Sequence, residues 1–184
     1  RRARFRRVGP GVVEISGRRA QVPAKEVPQP SYEFRPRGLG YANRGGLLMP
    51  SGIAYDSHAG RAISGALTAI MTGVSYATSA EMAQKLGPFP GYKKNREHML
   101  RVIRNHRHAA HGERTGYEKV ATPPVPLDHK ACPEQKMTTH ARRTGARALH
   151  IGKQHRQRNG TTSVNAPTGP QRHHNTHTNT ATHL

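Results

Sequence analysis

The residues in this chain that could do chemistry are few, and their spacing sorts them. Ala166-Pro167-Thr168-Gly169 follows an alternating stretch from Thr161 to Val164. A turn of this kind points successive backbone amides and a Thr hydroxyl at a phosphate, provided a helix begins directly after it and adds its positive end. An ordinary Pro-initiated turn with Gly supplying the unusual torsion uses the same four residues. His173, His174 and His177 are spaced so that their imidazoles can meet around one ion, yet no carboxylate or thiolate supports them and nothing rigid fixes the rings, so no metal site is expected. His106, His108 and His111 fall on or just past a helix, where their spacing does not bring all three to one face. Cys132 is a candidate nucleophile or radical carrier, but Lys130-Ala131-Cys132-Pro133 offers one positive neighbour and no base. The carboxylates are scattered singly, so no acid–base pair and no hydrolase constellation assembles.

The chain that must position these groups has 184 residues, a formal charge of +20 and 33% hydrophobic residues. One domain is the upper bound, and with 19 Gly and 14 Pro the core is thin. A single cysteine excludes an internal disulfide, and no apolar run approaches the ~18 residues of a membrane span. These features suit a soluble chain in the reducing cytoplasm. Because it begins at Arg1 rather than Met, the expectation is a piece of something longer or a processed product.

The charge is concentrated at the ends. Residues 1–20 hold seven arginines against Glu14 alone, and residues 135–184 hold eight Lys and Arg with no acid. Basic ends suit a polyanion, because neutralising phosphates releases counterions. Only Phe5 interleaves the first arginines, however, and a single-strand binder uses several stacking aromatics. Solvated, disordered termini are the plainer expectation. Gly9, Pro10 and Gly11 interrupt any apolar segment that would make a targeting signal.

Three stretches follow from these patterns. Residues 1–30 are a basic, Pro/Gly-rich, extended lead-in with one strand-like patch, Val12 to Ile15. Residues 31–134 are helical. There, Leu39 to Met49 predicts a Gly-rich helix, and Asp56-Ser57 caps a helix whose apolar stripe runs Ala59, Ile63, Ala66, Leu67, Ile70 and Val74. Thr78 with Glu81 matches a capping box and predicts a separate helix over Ser79 to Leu86, with Gly87-Pro88 stopping it. Tyr92 to about Ala110 predicts an amphipathic helix burying Tyr92, Met99, Val102, Ile103 and His106, its basic face being solvated or groove-binding. Pro123, Pro124, Pro126 and Pro133 predict a linker or surface loop carrying Cys132. Residues 135–184 form a basic tail with a weak helix over Thr139 to His155, a short strand at Thr161 to Val164, and an irregular end from Gln171 to Leu184.

The middle of the chain resembles the adenosylcobalamin-dependent (class II) ribonucleotide reductases. The resemblance is carried by Arg37-Gly38-Leu39-Gly40-Tyr41-Ala42-Asn43, Gly46-Leu47-Leu48-Met49, Tyr55-Asp56-Ser57 and Ala66-Leu67-Thr68-Ala69-Ile70-Met71-Thr72-Gly73. It continues through Tyr76-Ala77-Thr78-Ser79-Ala80-Glu81-Met82-Ala83, Lys94-Asn95-Arg96-Glu97-His98-Met99-Leu100-Arg101 and Pro126-Leu127-Asp128-His129. It is nearly continuous from about Ser31 to Pro133 and returns in patches at Ala148 to His155, Arg158-Asn159 and Ala166 to Gly169.

The resemblance implies a mainly α fragment of an α/β barrel of ten strands, whose parent reduces ribonucleotides to deoxyribonucleotides for DNA synthesis by thiyl-radical chemistry. Adenosylcobalamin would supply the radical, a homo-oligomer of the parent is possible, and Ala166, Pro167, Thr168 and Gly169 align with the turn that grips the substrate phosphates. Pro170 departs from the family's continuation into a helix and removes an amide donor. The family's Asn-x-Cys-x-Glu radical loop and its reducing cysteines have no counterpart here, so this chain alone is expected to be inactive. Two rivals remain at this point: a small basic nucleic-acid-binding protein, and an assembly subunit that docks to an intact reductase.

Overall fold

The computed structural model describes residues 28–164. The expected patch at Val12 to Ile15, the turn at Ala166 to Gly169 and the stretch Gln171 to Leu184 lie outside the described residues. Within them the chain is mainly helical: α1 Pro28–Phe34, α2 Arg44–Leu48, a 3-10 turn Met49–Ser51, α3 His58–Leu86, α4 Tyr92–His111 and α5 Gln135–His155. Extended pairing among these residues is confined to a parallel bridge between Leu39 and Ser163.

Local chemistry explains most of these boundaries. The Ser57 hydroxyl accepts from the Gly60 amide at 3.0 Å and starts α3. Gly112, at φ 80°, ends α4 in the left-handed conformation that glycine adopts without strain. Pro28 and Pro30 fall in the first turn of α1, where a missing amide leaves no helical bond unmade. The extended lead-in expected through Pro30 therefore gives way to a helix from Pro28.

Three further expectations are corrected. The helix expected over Leu39–Met49 shrinks to Arg44–Leu48 because Gly38 and Gly40 are used for close approach. A Cβ on Gly38 would lie 2.5 Å from Val164 Cγ1, and one on Gly40 would lie 3.2 Å from the Val164 carbonyl. Next, α3 runs unbroken for 29 residues, so Thr78 and Glu81 cap nothing. Thr78 is buried in mid-helix, and packing on α5 overrides the local capping signal. Finally, the Pro-rich segment after α4 is no free linker. The Leu127 amide donates to the Ala109 carbonyl at 2.9 Å, and Cys132 is buried at 1% exposure.

The core sits where α3 crosses α5 and α4, the α3–α5 contact being the most extensive. One apolar cluster joins Leu48, Ala62, Ile63, Ala66 and Ile70 to Leu127, Cys132 and Ala141; a second joins Tyr76, Ala77, Phe89, Tyr92, Met99, Ile103 and Ala148. On α4, Leu100 is buried and Val102 is exposed at 38%, reversing the face expected for Val102. The helix α5 begins four residues before the expected Thr139 and buries Thr138, Ala141, Thr144, Gly145, Ala148 and Gly152. It belongs to the packed body. None of the described helices is long and apolar enough to cross a membrane.

Candidate functional site

The segment Gln157 to Val164 leads directly into Ala166 to Gly169, and the described residues fix it from several sides. Its backbone runs parallel to residues 37–39: the Arg37 amide donates to the Thr161 carbonyl at 3.0 Å, Leu39 to Thr162 at 3.1 Å, and Val164 back to Leu39 at 3.0 Å. Upstream, the Phe89 amide donates to the Gln157 carbonyl at 3.1 Å and the Gly160 amide to the Phe34 carbonyl at 2.7 Å. The end of α1, the turn after α3 and the segment after α5 therefore meet in one place.

At their junction lies a buried polar network built on Ser79. The Ser79 hydroxyl accepts from the amides of Arg158 at 3.1 Å and Asn159 at 3.0 Å, and donates to Asn159 Oδ1 at 3.1 Å. Asn159 Nδ2 donates to the Arg35 carbonyl at 3.1 Å. Arg158 extends its guanidinium to the carbonyls of Leu86 and Gly87, both at 3.0 Å. A cation thus satisfies orphan acceptors at the negative end of α3. Ser79, Arg158 and Asn159 are all buried, so water cannot replace these bonds and the geometry is held.

The arrangement positions backbone. Of the residues singled out in the sequence, Ala166, Pro167, Thr168, Gly169, His173, His174 and His177 lie outside the described residues. Cys132 is sealed in the first apolar cluster, its thiol 3.7 Å from the Glu134 carbonyl, and burial pushes its pKa up. That disfavours the thiolate a nucleophile needs. The three helix-α4 histidines go separate ways. His106 faces the Tyr76 ring, His108 bonds Glu113, and His111 Nδ1 pairs with the Arg107 carbonyl at 2.8 Å. Among the described residues no group of His, Cys, Asp and Glu could hold a metal ion.

The crevice where α3, α4 and α5 meet, lined by residues including Tyr76, His106 and Gly145, has a volume of about 20 Å³, room for little more than one water. The central role of Ser79 was not apparent from sequence. Its nearest signal was Arg158-Asn159, singled out only as a family-like patch.

The titratable groups around α4 give the body an acid-sensitive profile. Desolvation lowers the pKa of His106 and of His129 below 6.5, so unfolding binds protons there and stability falls as the pH drops below that value. The pKa of Glu113 is lowered chiefly by its bond to His108, and those of Glu97 and Glu118 by their bonds to Arg104. Stability from these carboxylates is present above 4.5 and lost as the pH falls through their depressed values. Melting temperature measured from neutral pH downward should therefore decline in two stages, and His106→Gln should shrink the first stage to the part His129 contributes while leaving the second.

Residues 11–180 match the family described as ribonucleotide reductase, barrel domain. The chain is 58% identical over 158 residues to a vitamin B12-dependent ribonucleotide reductase of Bradyrhizobium diazoefficiens, covering 86% of this chain and 13% of that protein. It is 59% identical over 158 residues to the protein of that name from Agrobacterium fabrum, covering 86% and 12%. A similarly named protein of Streptantibioticus cattleyicolor is 40% identical over 150 residues, covering 82% and 23%. The chain therefore spans a minor part of the length of each of these relatives.

Proposed function

The chain belongs to the ribonucleotide reductase barrel-domain family, and from that premise we propose that it is a helical portion of the barrel of a cobalamin-dependent enzyme reducing ribonucleotides to deoxyribonucleotides. The observation that carries this reading is the parallel pairing of residues 37–39 with 161–164. Parallel neighbours require a crossover between them, and here α3, α4 and α5 supply it, as helices do on the outside of an α/β barrel. In the whole protein this ribbon would be two of ten barrel strands, with the remaining strands contributed by other parts of the protein.

In this reading the Ser79 network acts at a distance from the chemistry. It holds Arg158 and Asn159, and through them the segment that delivers Ala166, Pro167, Thr168 and Gly169 to the substrate phosphates. Backbone amides of that turn and the Thr168 hydroxyl would orient a ribonucleotide by its phosphates. Pro170 weakens this grip by removing one donor. Adenosylcobalamin would supply the radical when bound, and the crevice where α3, α4 and α5 meet is far too small for a corrin. Cobalamin would be held by parts of the protein beyond this segment. With Cys132 buried and no radical loop, the isolated chain performs no reduction. The enzyme as a whole would act in the cytoplasm, as an oligomer. The nucleic-acid-binding alternative finds no support among the relatives.

A chimera tests the proposal. The corresponding stretch of the Bradyrhizobium diazoefficiens protein would be replaced by this chain, and ribonucleotide reduction with adenosylcobalamin would be measured. We expect turnover, with KM for the nucleotide raised about tenfold by Thr168→Ala and lowered by Pro170→Thr. A chimera that melts like its parent yet neither binds nor reduces ribonucleotides would refute it.

A further inference from the structure

Asn159-Gly160 is the one Asn-Gly dipeptide in the sequence, and the fold compels both residues. A Cβ at position 160 would sit 2.7 Å from the Phe34 carbonyl oxygen, so only glycine lets the end of α1 approach this closely. Position 159 needs a side chain that both accepts from the Ser79 hydroxyl and donates to the Arg35 carbonyl, which an amide does and a carboxylate does not. Asn-Gly is also the sequence most open to intramolecular attack, because no side chain shields the following amide.

We propose that Asn159 is a deamidation site held in check by the folded state and released by local opening of the junction between α1 and the segment after α5. In the step, the Gly160 nitrogen gives up its proton to hydroxide and attacks Asn159 Cγ. A bond forms between that nitrogen and Cγ, the bond from Cγ to Nδ2 breaks, and the departing nitrogen takes a proton from water to leave as ammonia, which returns the hydroxide. Water then opens the succinimide to aspartate or isoaspartate, with no change in oxidation state. In the closed structure every reacting atom is engaged elsewhere. The Gly160 N–H donates to Phe34 at 2.7 Å, Asn159 Oδ1 accepts from Ser79 at 3.1 Å, and Nδ2 donates to Arg35 at 3.1 Å. The dipeptide reacts from the open population. The product cannot close again: aspartate would bury a charge facing the Arg35 carbonyl, and isoaspartate would add a backbone atom just before the Thr161–Val164 pairing. The reaction therefore works as a one-way timer on the segment that leads to Ala166.

The test is peptide mapping by mass spectrometry of the full 184-residue protein, incubated at mildly alkaline pH in buffer and in denaturing urea. Asn159 should gain the mass of deamidation rapidly in denaturing urea and far more slowly in buffer. In sub-denaturing urea its rate should climb with the open population. Ser79→Ala should raise the rate in buffer about tenfold or more. If that variant does not fold, the urea series on the unaltered protein decides alone. Equal rates in buffer and denaturant, or an Asn159 that stays intact in urea, would overturn the proposal.

Discussion

Ser79→Ala lowers the unfolding free energy by about 2–3 kcal/mol, a large loss for a single hydroxyl. The reason lies in what is left behind. The bonds from the Asn159 amide to the Ser79 hydroxyl and from that hydroxyl to Asn159 Oδ1 are both lost, in a place where Ser79 itself has 0% exposure. The Arg158 amide keeps a second acceptor, the Ser79 carbonyl at 3.2 Å, which limits the cost. Urea titration checks this: the midpoint should fall while the m-value stays constant, as expected for a folded-state change. Thr139→Ala is the control. Its hydroxyl only bonds back to the Gln135 carbonyl on an exposed turn of α5, and its loss should move stability by no more than about 0.5 kcal/mol.

The second large effect separates two glycines at one helix contact. A Cβ on Gly73 would lie 2.8 Å from the Thr144 carbonyl carbon and 2.9 Å from the Gly145 nitrogen. Those are backbone atoms that cannot rotate away, so Gly73→Leu forces α3 and α5 apart and costs about 3 kcal/mol or more. A Cβ on Gly145 meets nothing nearer than 3.6 Å, the Arg107 Cα. Gly145→Ala therefore fits, and the gain in helix propensity should stabilise the protein by up to about 1 kcal/mol. Thermal melts of the two variants should shift in opposite directions. Two shifts of the same sign would contradict the close α3–α5 approach.

What could be seen in the sequence was what is decided locally. The Ser57 cap, the apolar stripe from Ala59 to Val74, and the span Tyr92 to Ala110 each rest on neighbours within a turn or two, and the helices stand close to where those signals put them. The misses are places where a distant partner outvotes a local motif. Thr78 and Glu81 spell a helix start, but Thr78 is buried at the packed middle of α3. Leu39 reads as helical in its Gly-rich setting until Ser163, far along the sequence, pairs with it. The same distance hid Ser79, whose partners lie 79 and 80 positions away. Its chemistry was invisible because any serine on a helix looks alike before its neighbours are known. The family resemblance rests on residue identity rather than on local pattern, and it was legible along most of the chain.

The pairing of Arg37 with Thr161 joins positions separated by 124 residues, and that separation sets an order of assembly. Closing so long a loop demands a large entropy loss before the first bond repays it, whereas each helix gathers its own bonds between near neighbours. The helices and their mutual contacts should therefore form early and the ribbon last. On a ribosome, which releases the polypeptide from its amino end, the pairing of Arg37 and Leu39 with Thr161, Thr162 and Val164 must wait until Val164 has emerged. For that interval the unfinished edge is open to any other extended strand, and chaperone occupancy during synthesis should be greatest there.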